Sequence, residues 1–171
     1  MNPPPKTPGH LKYFMTINER NIWYCGQVPF RESLILYKNQ KKKKDGIIKC
    51  IFTETTDFNV FTPTKLFFNP DFSVIDATIL KKVRKFWMSL KNENPNPPEK
   101  NLRLSKSKKA NGHYSTKVSE KITGDYWAEG PTTLQIDGYI YVYFDKYINH
   151  KYGCIRSKDM KTWEDVSEKL N

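Results

Sequence analysis

A repeat of about fifty residues, built from short β-type segments, constrains the fold of this chain more than any other feature. Two carboxylates, Asp76 and Glu129, each precede a short run of β-forming residues, and they lie 53 residues apart. A second register agrees, because an aromatic residue recurs after 53 and then 49 residues, at Phe61, Tyr114 and Trp163. A period of this length made of short strands is typical of a β-propeller, in which each repeat forms a blade of four strands.

The apolar segments between the turns are short and match strands rather than helices. They are rich in β-branched and aromatic residues and are bounded by Gly, Asn, Asp or Pro. Examples are residues 46–53, 85–90 and 139–144. Asp137 and Gly138 separate two such segments by a pair of residues that tolerates positive φ, which predicts a β-hairpin. Only residues 31–40 fit a short helix as well as a strand, so we predict an all-β fold.

The number of repeats predicts an incomplete propeller. The units cover about residues 11–68, 73–122 and 130–170, which gives roughly two to three four-stranded antiparallel blades. Propellers typically need four to eight blades to close. We therefore predict that residues 1–171 form a single partial propeller domain, with exposed sheet edges where neighbouring blades would lie.

The repeated carboxylates indicate a site. The innermost strand of each propeller blade lines the central channel, so acids at the start of that strand in successive blades point towards one channel mouth. Two acids that converge on a pocket are what glycoside hydrolysis requires, because one must stay protonated to donate to the leaving oxygen. The alternative is that Asp76 and Glu129 are strand-end acids satisfied by backbone N–H groups.

Several segments resemble the family 43 glycoside hydrolases, which include arabinosidases and xylosidases. The most specific segments are Ile-Asp-Ala-Thr at residues 75–78 and Glu-Gly-Pro-Thr at residues 129–132. The resemblance runs from about residue 47 to the end of the chain, and more faintly over residues 11–19. The longer matching segments are residues 69–79, 122–132, 141–145 and 152–167.

The resemblance implies a five-bladed propeller and an inverting mechanism with three acids. Asp76 matches the Asp that orients the general acid and tunes its pKa, and Glu129 matches the general acid itself. A general-base Asp is expected about one hundred residues before Asp76, outside this chain, if the blade spacing holds. We therefore expect the chain by itself to be weakly active or inactive.

Three residues near the two acids are candidates for substrate binding. Lys91 and Glu93 match a Lys-Asp-Glu segment of the family, with Asn92 where the Asp usually stands. Trp127 is a candidate sugar platform, although a core aromatic role fits it equally well. A further departure from the family pattern is the hairpin at residues 81–84, which lacks the expected Gly or Asp-Gly.

The net charge of +11 does not by itself indicate a nucleic-acid partner. Of the 29 basic residues, 24 are Lys and only five are Arg, the residue that bidentate phosphate recognition prefers. The densest basic run, residues 41–44, precedes Asp45 and Gly46 and is typical of a solvated loop. Carboxylates at the channel mouth would also repel phosphate. The partner that we expect is an arabinoside- or xyloside-type carbohydrate. The alternative functions are a non-catalytic carbohydrate-binding propeller and, less favoured, a basic nucleic-acid-binding module.

Metal, cofactor and membrane sites are not expected from the sequence. The cysteines form no C-x-x-C pair and the histidines share no metal-ligand spacing. These residues are Cys25, Cys50, Cys154, His10, His113 and His150. No apolar run approaches the ~18 residues of a membrane span. The first residues lack the apolar stretch of a secretory signal, although relatives in the family are often secreted or periplasmic.

Overall fold

Short antiparallel strands make up almost all of the regular structure. The structure, a computed structural model, describes residues 23–30, 33–41, 47–55 and 59–170. The strands are β1 (Trp23–Phe30), β2 (Ser33–Lys41), β3 (Ile48–Thr55), β4 (Lys65–Phe68), β5 (Val74–Lys82), β6 (Lys85–Asn92), β7 (Leu102–Ser107), β8 (Glu129–Ile136), β9 (Tyr139–Lys146), β10 (Lys151–Ser157) and β11 (Glu164–Asp165). Within those ranges the only helices are two 3-10 turns, Tyr147–Asn149 and Ser167–Leu170. The all-β prediction is confirmed.

The strands form three meandering sheets. In the first sheet the order is β1-β2-β3-β4, in the second β5-β6-β7, and in the third β8-β9-β10-β11. Strand β5 contacts both β1 and β8, so the first strands of the three sheets are neighbours. This arrangement is an incomplete five-bladed propeller with β1, β5 and β8 innermost. The segment at residues 31–40, which fitted helix or strand, contributes to β2, whereas residues 11–19 and 42–44 lie outside the described part of the chain.

The second sheet has three regular strands instead of the expected four. The segment after β7 occupies the place of the fourth. Backbone N–H groups of Ser115, Ser119 and Ile122 donate to carbonyls of β7 at 3.1, 2.9 and 2.9 Å. The accepting residues on β7 are two apart, whereas the donors are four and three apart. The segment therefore bulges away from β7 between its hydrogen bonds and cannot form a continuous ladder.

Two clusters of apolar side chains hold the sheets together. Strand β6 contributes Met88 and Leu90 to the first cluster, and its partly buried Trp87 packs against the second. It can do so because successive side chains of a strand point to opposite faces of the sheet. The cluster of the first and second sheets contains Cys50, Phe52, Phe67, Phe68, Val74, Ala77, Met88, Leu90, Ala110 and Tyr114. The cluster of the second and third sheets contains Leu102, Leu104, Ile122, Ala128, Ile140, Val142, Phe144, Ile155 and Met160. The second sheet is thus covered on both faces, and each large buried side chain contributes about 1.5–3 kcal/mol.

Candidate active site

Asp76 and Glu129 lie at matching β-bulges in the innermost strands β5 and β8. In each strand the pairing register shifts, between Ile75 and Thr78 in β5 and between Glu129 and Thr132 in β8. The first bulged residue has a positive φ in both, 52° at Asp76 and 60° at Gly130. The structural equivalent of Asp76 is therefore Gly130, and the expectation that Asp76 and Glu129 occupy the same place in successive blades is wrong by one residue.

The offset of one residue brings the two acids together. Asp76 Oδ2 accepts a hydrogen bond from the Gly130 backbone N–H at 3.2 Å, so this side chain reaches the third sheet. Glu129 Oε2 lies 2.9 Å from Nζ of Lys91 on β6, so that side chain reaches the second sheet. Successive residues of a strand point to opposite faces. Acids at equivalent positions would point in the same direction around the propeller axis, whereas Asp76 and Glu129 each point towards the sheet that holds the other.

Lys91 is the centre of the charged cluster. Its side chain is 3% exposed, and its Nζ lies 2.8 Å from Glu93 Oε2 as well as 2.9 Å from Glu129 Oε2. The same ammonium lies 4.8 Å from the ring centroid of Tyr147. Lys100 pairs with the other oxygen of Glu93. A buried ammonium requires such partners, because desolvation without them costs several kcal/mol.

The electrostatics of the cluster follow from burial and from these pairs. Burial raises the pKa of Asp76, against the opposing effects of the Gly130 N–H and of Lys91. The Lys91 pKa is raised: burial acts to lower it, but the Glu93 and Glu129 carboxylates outweigh that effect. The pKa of Glu93 is lowered, because Lys100 and Lys91 together outweigh its burial. Burial thus holds the proton of the Asp76 carboxyl to a higher pH than usual.

Two aromatic side chains form a wall beside the acids. Trp127 is 41% exposed, and its ring centroid lies 6.0 Å from that of Tyr147 with the planes tilted by 44°. Sequence reasoning found Trp127 but missed Tyr147 and Lys100. The signal for Tyr147 was available, because the Asp137-Gly138 turn pairs Glu129 with Asp145 and so places residue 147 at the same end of the sheet.

Asn92 stands where the family 43 resemblance has Asp, and both ends of its side-chain amide are hydrogen-bonded. Asn92 is 2% exposed, and its Oδ1 accepts the Asn94 backbone N–H at 2.9 Å. Its amide nitrogen donates to Glu99 Oε2. An Asp at this position would have no donor for Glu99 and would place two carboxylates in contact, so the Asn side chain fits this particular loop.

Other candidate sites are not formed by the described residues. No group of three His, Cys, Asp or Glu side chains among them could hold a metal ion. Cys50 and Cys154 are buried free thiols, while His10 and the side chain of Cys25 lie outside the described residues. No helix in the described ranges has the length and apolarity needed to cross a membrane.

Comparison with known proteins decides the family. The model of a family described as "Probable glycosyl hydrolase domain" matches residues 28–171. This chain belongs to that family. The resemblance to family 43 glycoside hydrolases is confirmed by the same match and by solved structures of family 43 enzymes with this fold. As a glycosyl hydrolase domain, the chain has its two candidate acids at the inner strands of adjacent blades.

Solved structures share the fold of this glycosyl hydrolase domain at low sequence identity. The family 117 glycoside hydrolase Zg3597 of Zobellia galactanivorans is 12% identical, with a TM-score of 0.67 over 81% of this chain and 53% of that one. A thermostable family-43 glycoside hydrolase is 14% identical, with a TM-score of 0.61 over 85% and 54%. The xylan β-1,4-xylosidase of Bacillus halodurans C-125 is 16% identical, with a TM-score of 0.64 over 84% and 30%. The domain thus spans between 30% and 54% of the length of these three structures.

Proposed function

We propose that this glycoside hydrolase-like chain acts on O-glycosyl bonds of arabinose- or xylose-containing polysaccharide. The observation that carries the proposal is that each acid reaches the opposite sheet: Asp76 accepts from the Gly130 N–H beside Glu129, and Glu129 contacts Lys91 of the second sheet. Two acids beside an exposed aromatic wall are suited to protonating a glycosidic oxygen while a sugar ring stacks nearby. The arabinoside or xyloside class rests on the family 43 resemblance.

The proposed roles follow from exposure and contacts. Glu129, whose side chain is 36% exposed, is assigned as the general acid that donates a proton to the leaving oxygen. Asp76 is assigned as the neighbour that orients this acid and, by its own charge, helps it to keep its proton. An inverting enzyme holds its base roughly 6.5–9.5 Å from its acid, across the sugar ring. Asp76 is hydrogen-bonded next to Glu129, so we assign the water-activating base to neither of these residues.

The aromatic wall is the proposed sugar platform. Trp127 and Tyr147 lie at the same end of the third sheet as Glu129 and present tilted rings. A pyranose or furanose ring that stacks on the exposed face of Trp127 would place its glycosidic oxygen near the acid. Lys91 lies behind Tyr147, below the surface that a sugar would contact.

Hydrolysis of aryl arabinosides and aryl xylosides tests the proposal. The 171-residue chain is expected to be slow, because the resemblance puts the base outside it. Glu129→Gln is expected to lower the rate on poor leaving groups by a further factor of about 10²–10⁴ and to spare good leaving groups. Glu164→Gln, which removes an exposed carboxylate paired with Arg156, is the matched control. Fast hydrolysis that Glu129→Gln leaves unchanged would show that the acid or the reaction is wrongly assigned.

A non-catalytic, carbohydrate-binding propeller is the second candidate. The contact between Lys91 and Glu129 favours it, since an ammonium at 2.9 Å stabilises a carboxylate rather than the neutral acid that donates a proton. Binding of arabino- or xylo-oligosaccharides that Trp127→Ala weakens, together with no turnover of any aryl glycoside, would favour this second function.

A further inference from the structure

We propose that Lys91 is a positioning residue, which acts through Glu129 and does not contact the sugar. The inference rests on the proposed function, since it assigns how the acid of that site is held. Three observations carry it: the burial of Lys91, the division of its contacts between two carboxylates, and the ring that covers its remaining side.

Burial argues for this positioning role and against the substrate-binding role that the sequence suggested for Lys91. The Lys91 side chain is 3% exposed, whereas that of Glu129 is 36% exposed. The Tyr147 ring, which is part of the aromatic wall, lies 4.8 Å from the Lys91 ammonium. A sugar that stacks on this wall would therefore reach Glu129 before it could reach Lys91.

The contacts of Lys91 fix its ammonium in place. Glu93, which directly follows β6, lies with its Oε2 2.8 Å from Lys91 Nζ. Lys100 forms an ion pair with the other carboxylate oxygen of Glu93. The ammonium is thus anchored on one side before it contacts Glu129 at 2.9 Å on the other. Charges alternate along the row Lys100, Glu93, Lys91 and Glu129, so each inner member has an opposite charge on both sides.

Such a row orients the exposed carboxylate at its end. Glu129 has several rotatable bonds, and its partly exposed side chain would otherwise sample several rotamers. The charge-assisted hydrogen bond from the fixed Lys91 ammonium restricts the Glu129 carboxylate to one direction. That direction is towards the second sheet, from which Asp76 reaches the Gly130 N–H. A correctly directed acid raises the rate of the chemical step without adding a contact to the bound sugar.

The side-chain direction of Glu129 tests this inference apart from activity. Crystal structures of the wild type and of Lys91→Met compare the direction of the Glu129 carboxylate. In Lys91→Met we expect this side chain to lose its single direction and to occupy more than one rotamer. Lys91→Arg should restore the single direction, and Lys106→Met, which removes an exposed lysine of β7, should leave it unchanged.

Kinetics supply the second readout. Where glycosides are turned over, Lys91→Met should lower kcat at least tenfold and change KM by less than about twofold, the pattern of an interaction made in the transition state. A Glu129 carboxylate that keeps its single direction in Lys91→Met, or a raised KM with unchanged kcat, would overturn the inference. If Lys91→Met does not fold, Lys91→Met/Glu93→Gln removes the buried pair together and is crystallised instead. Absence of turnover in every variant counts against the proposed function and leaves the structural result standing on its own.

Discussion

Ser89 and Thr133 join the second sheet to the third through a hydroxyl–hydroxyl hydrogen bond of 2.7 Å. Ser89 is 1% exposed, and it lies two residues before Lys91 on β6. Thr133 lies four residues after Glu129 on β8, and its hydroxyl also lies 3.5 Å from that of Thr78 on β5. The pair therefore holds the two sheets at a fixed separation just below the charged cluster.

Removing both hydroxyls of this pair should cost less than the sum of the two single removals. Thr133→Val leaves the buried Ser89 hydroxyl without its partner, and we expect a loss of about 1–3 kcal/mol in the free energy of unfolding. The double variant Ser89→Ala/Thr133→Val should be less destabilised than the sum of the single variants. Urea denaturation of the four proteins measures the coupling. Strictly additive losses would show that the two hydroxyls do not depend on each other.

The raised pKa of Asp76 makes stability depend on pH. A carboxyl whose pKa is higher in the folded state destabilises the protein as pH rises from its unfolded value, near 3.8, through its folded value. Asp76→Asn removes that loss and keeps a residue that tolerates positive φ. The stability of the variant relative to the wild type should therefore increase from pH 4 to pH 7, as measured by urea denaturation.

Asp137→Asn is the matched control for the Asp76 variant. Asp137 also has a positive φ, 48°, but its side chain is exposed in the β8–β9 turn. Its substitution should give a difference in stability that is nearly constant over the same pH range. A pH-independent difference for Asp76→Asn as well would contradict the burial of this carboxyl.

Trp127 should contribute to carbohydrate binding. Trp127→Ala removes the exposed face of the aromatic wall, and the affinity for xylo- or arabino-oligosaccharides should fall by about 2–10-fold, as expected for an aromatic contact of about 0.5–1.5 kcal/mol. Isothermal titration calorimetry measures the change. Tyr139→Ala is the control, because Tyr139 lies beside the β8–β9 turn, at the opposite end of the third sheet from Glu129. Equal effects of the two substitutions would show that the aromatic wall is not part of the binding site.

The β5–β6 hairpin should be stabilised by glycine. Val83, at the turn, has a φ of 56° and an 83% exposed side chain, so a β-branched residue is held in the left-handed region without any gain from burial. Val83→Gly should raise the free energy of unfolding by about 0.5–1 kcal/mol. Val83→Ala, which retains a Cβ and its strain, should give little of this gain. An equal gain in both variants would attribute the effect to the loss of the exposed valine surface instead.

Features of the fold that depend on local chemistry could be predicted from the sequence. The short β-branched segments and the Asp137-Gly138 turn define strands β8 and β9 and their pairing. For residues 81–84 the sequence shows only that the glycine of the family pattern is lacking, and the structure adds that Val83 at this turn has a positive φ. The irregular fourth element of the second sheet could not be foreseen, since the hydrogen bonds of residues 115–122 depend on how the chain packs beside β7.

The candidate site was harder to predict, because its geometry depends on a bulge and on contacts between sheets. Gly adopts positive φ freely and Asp tolerates it, so the sequence does not say which residue of the repeat is the bulged one. Aligning carboxylate with carboxylate gave a period of 53 residues, whereas the bulges are 54 residues apart, at Asp76 and Gly130. The burial of Lys91 likewise depends on where β8 begins relative to β6, which no short motif encodes.

The left-handed backbone conformation of Asp76 carries a cost in stability. Its equivalent in the next blade is Gly130, the residue type that adopts this conformation without strain. A non-glycine residue in the left-handed region costs about 1–2 kcal/mol, and burial of the carboxylate adds to that cost. Mutants selected for thermal resistance alone should therefore replace this aspartate readily. Its retention in a functional screen, at the expense of melting temperature, would mark position 76 as one where selection for activity opposes selection for stability.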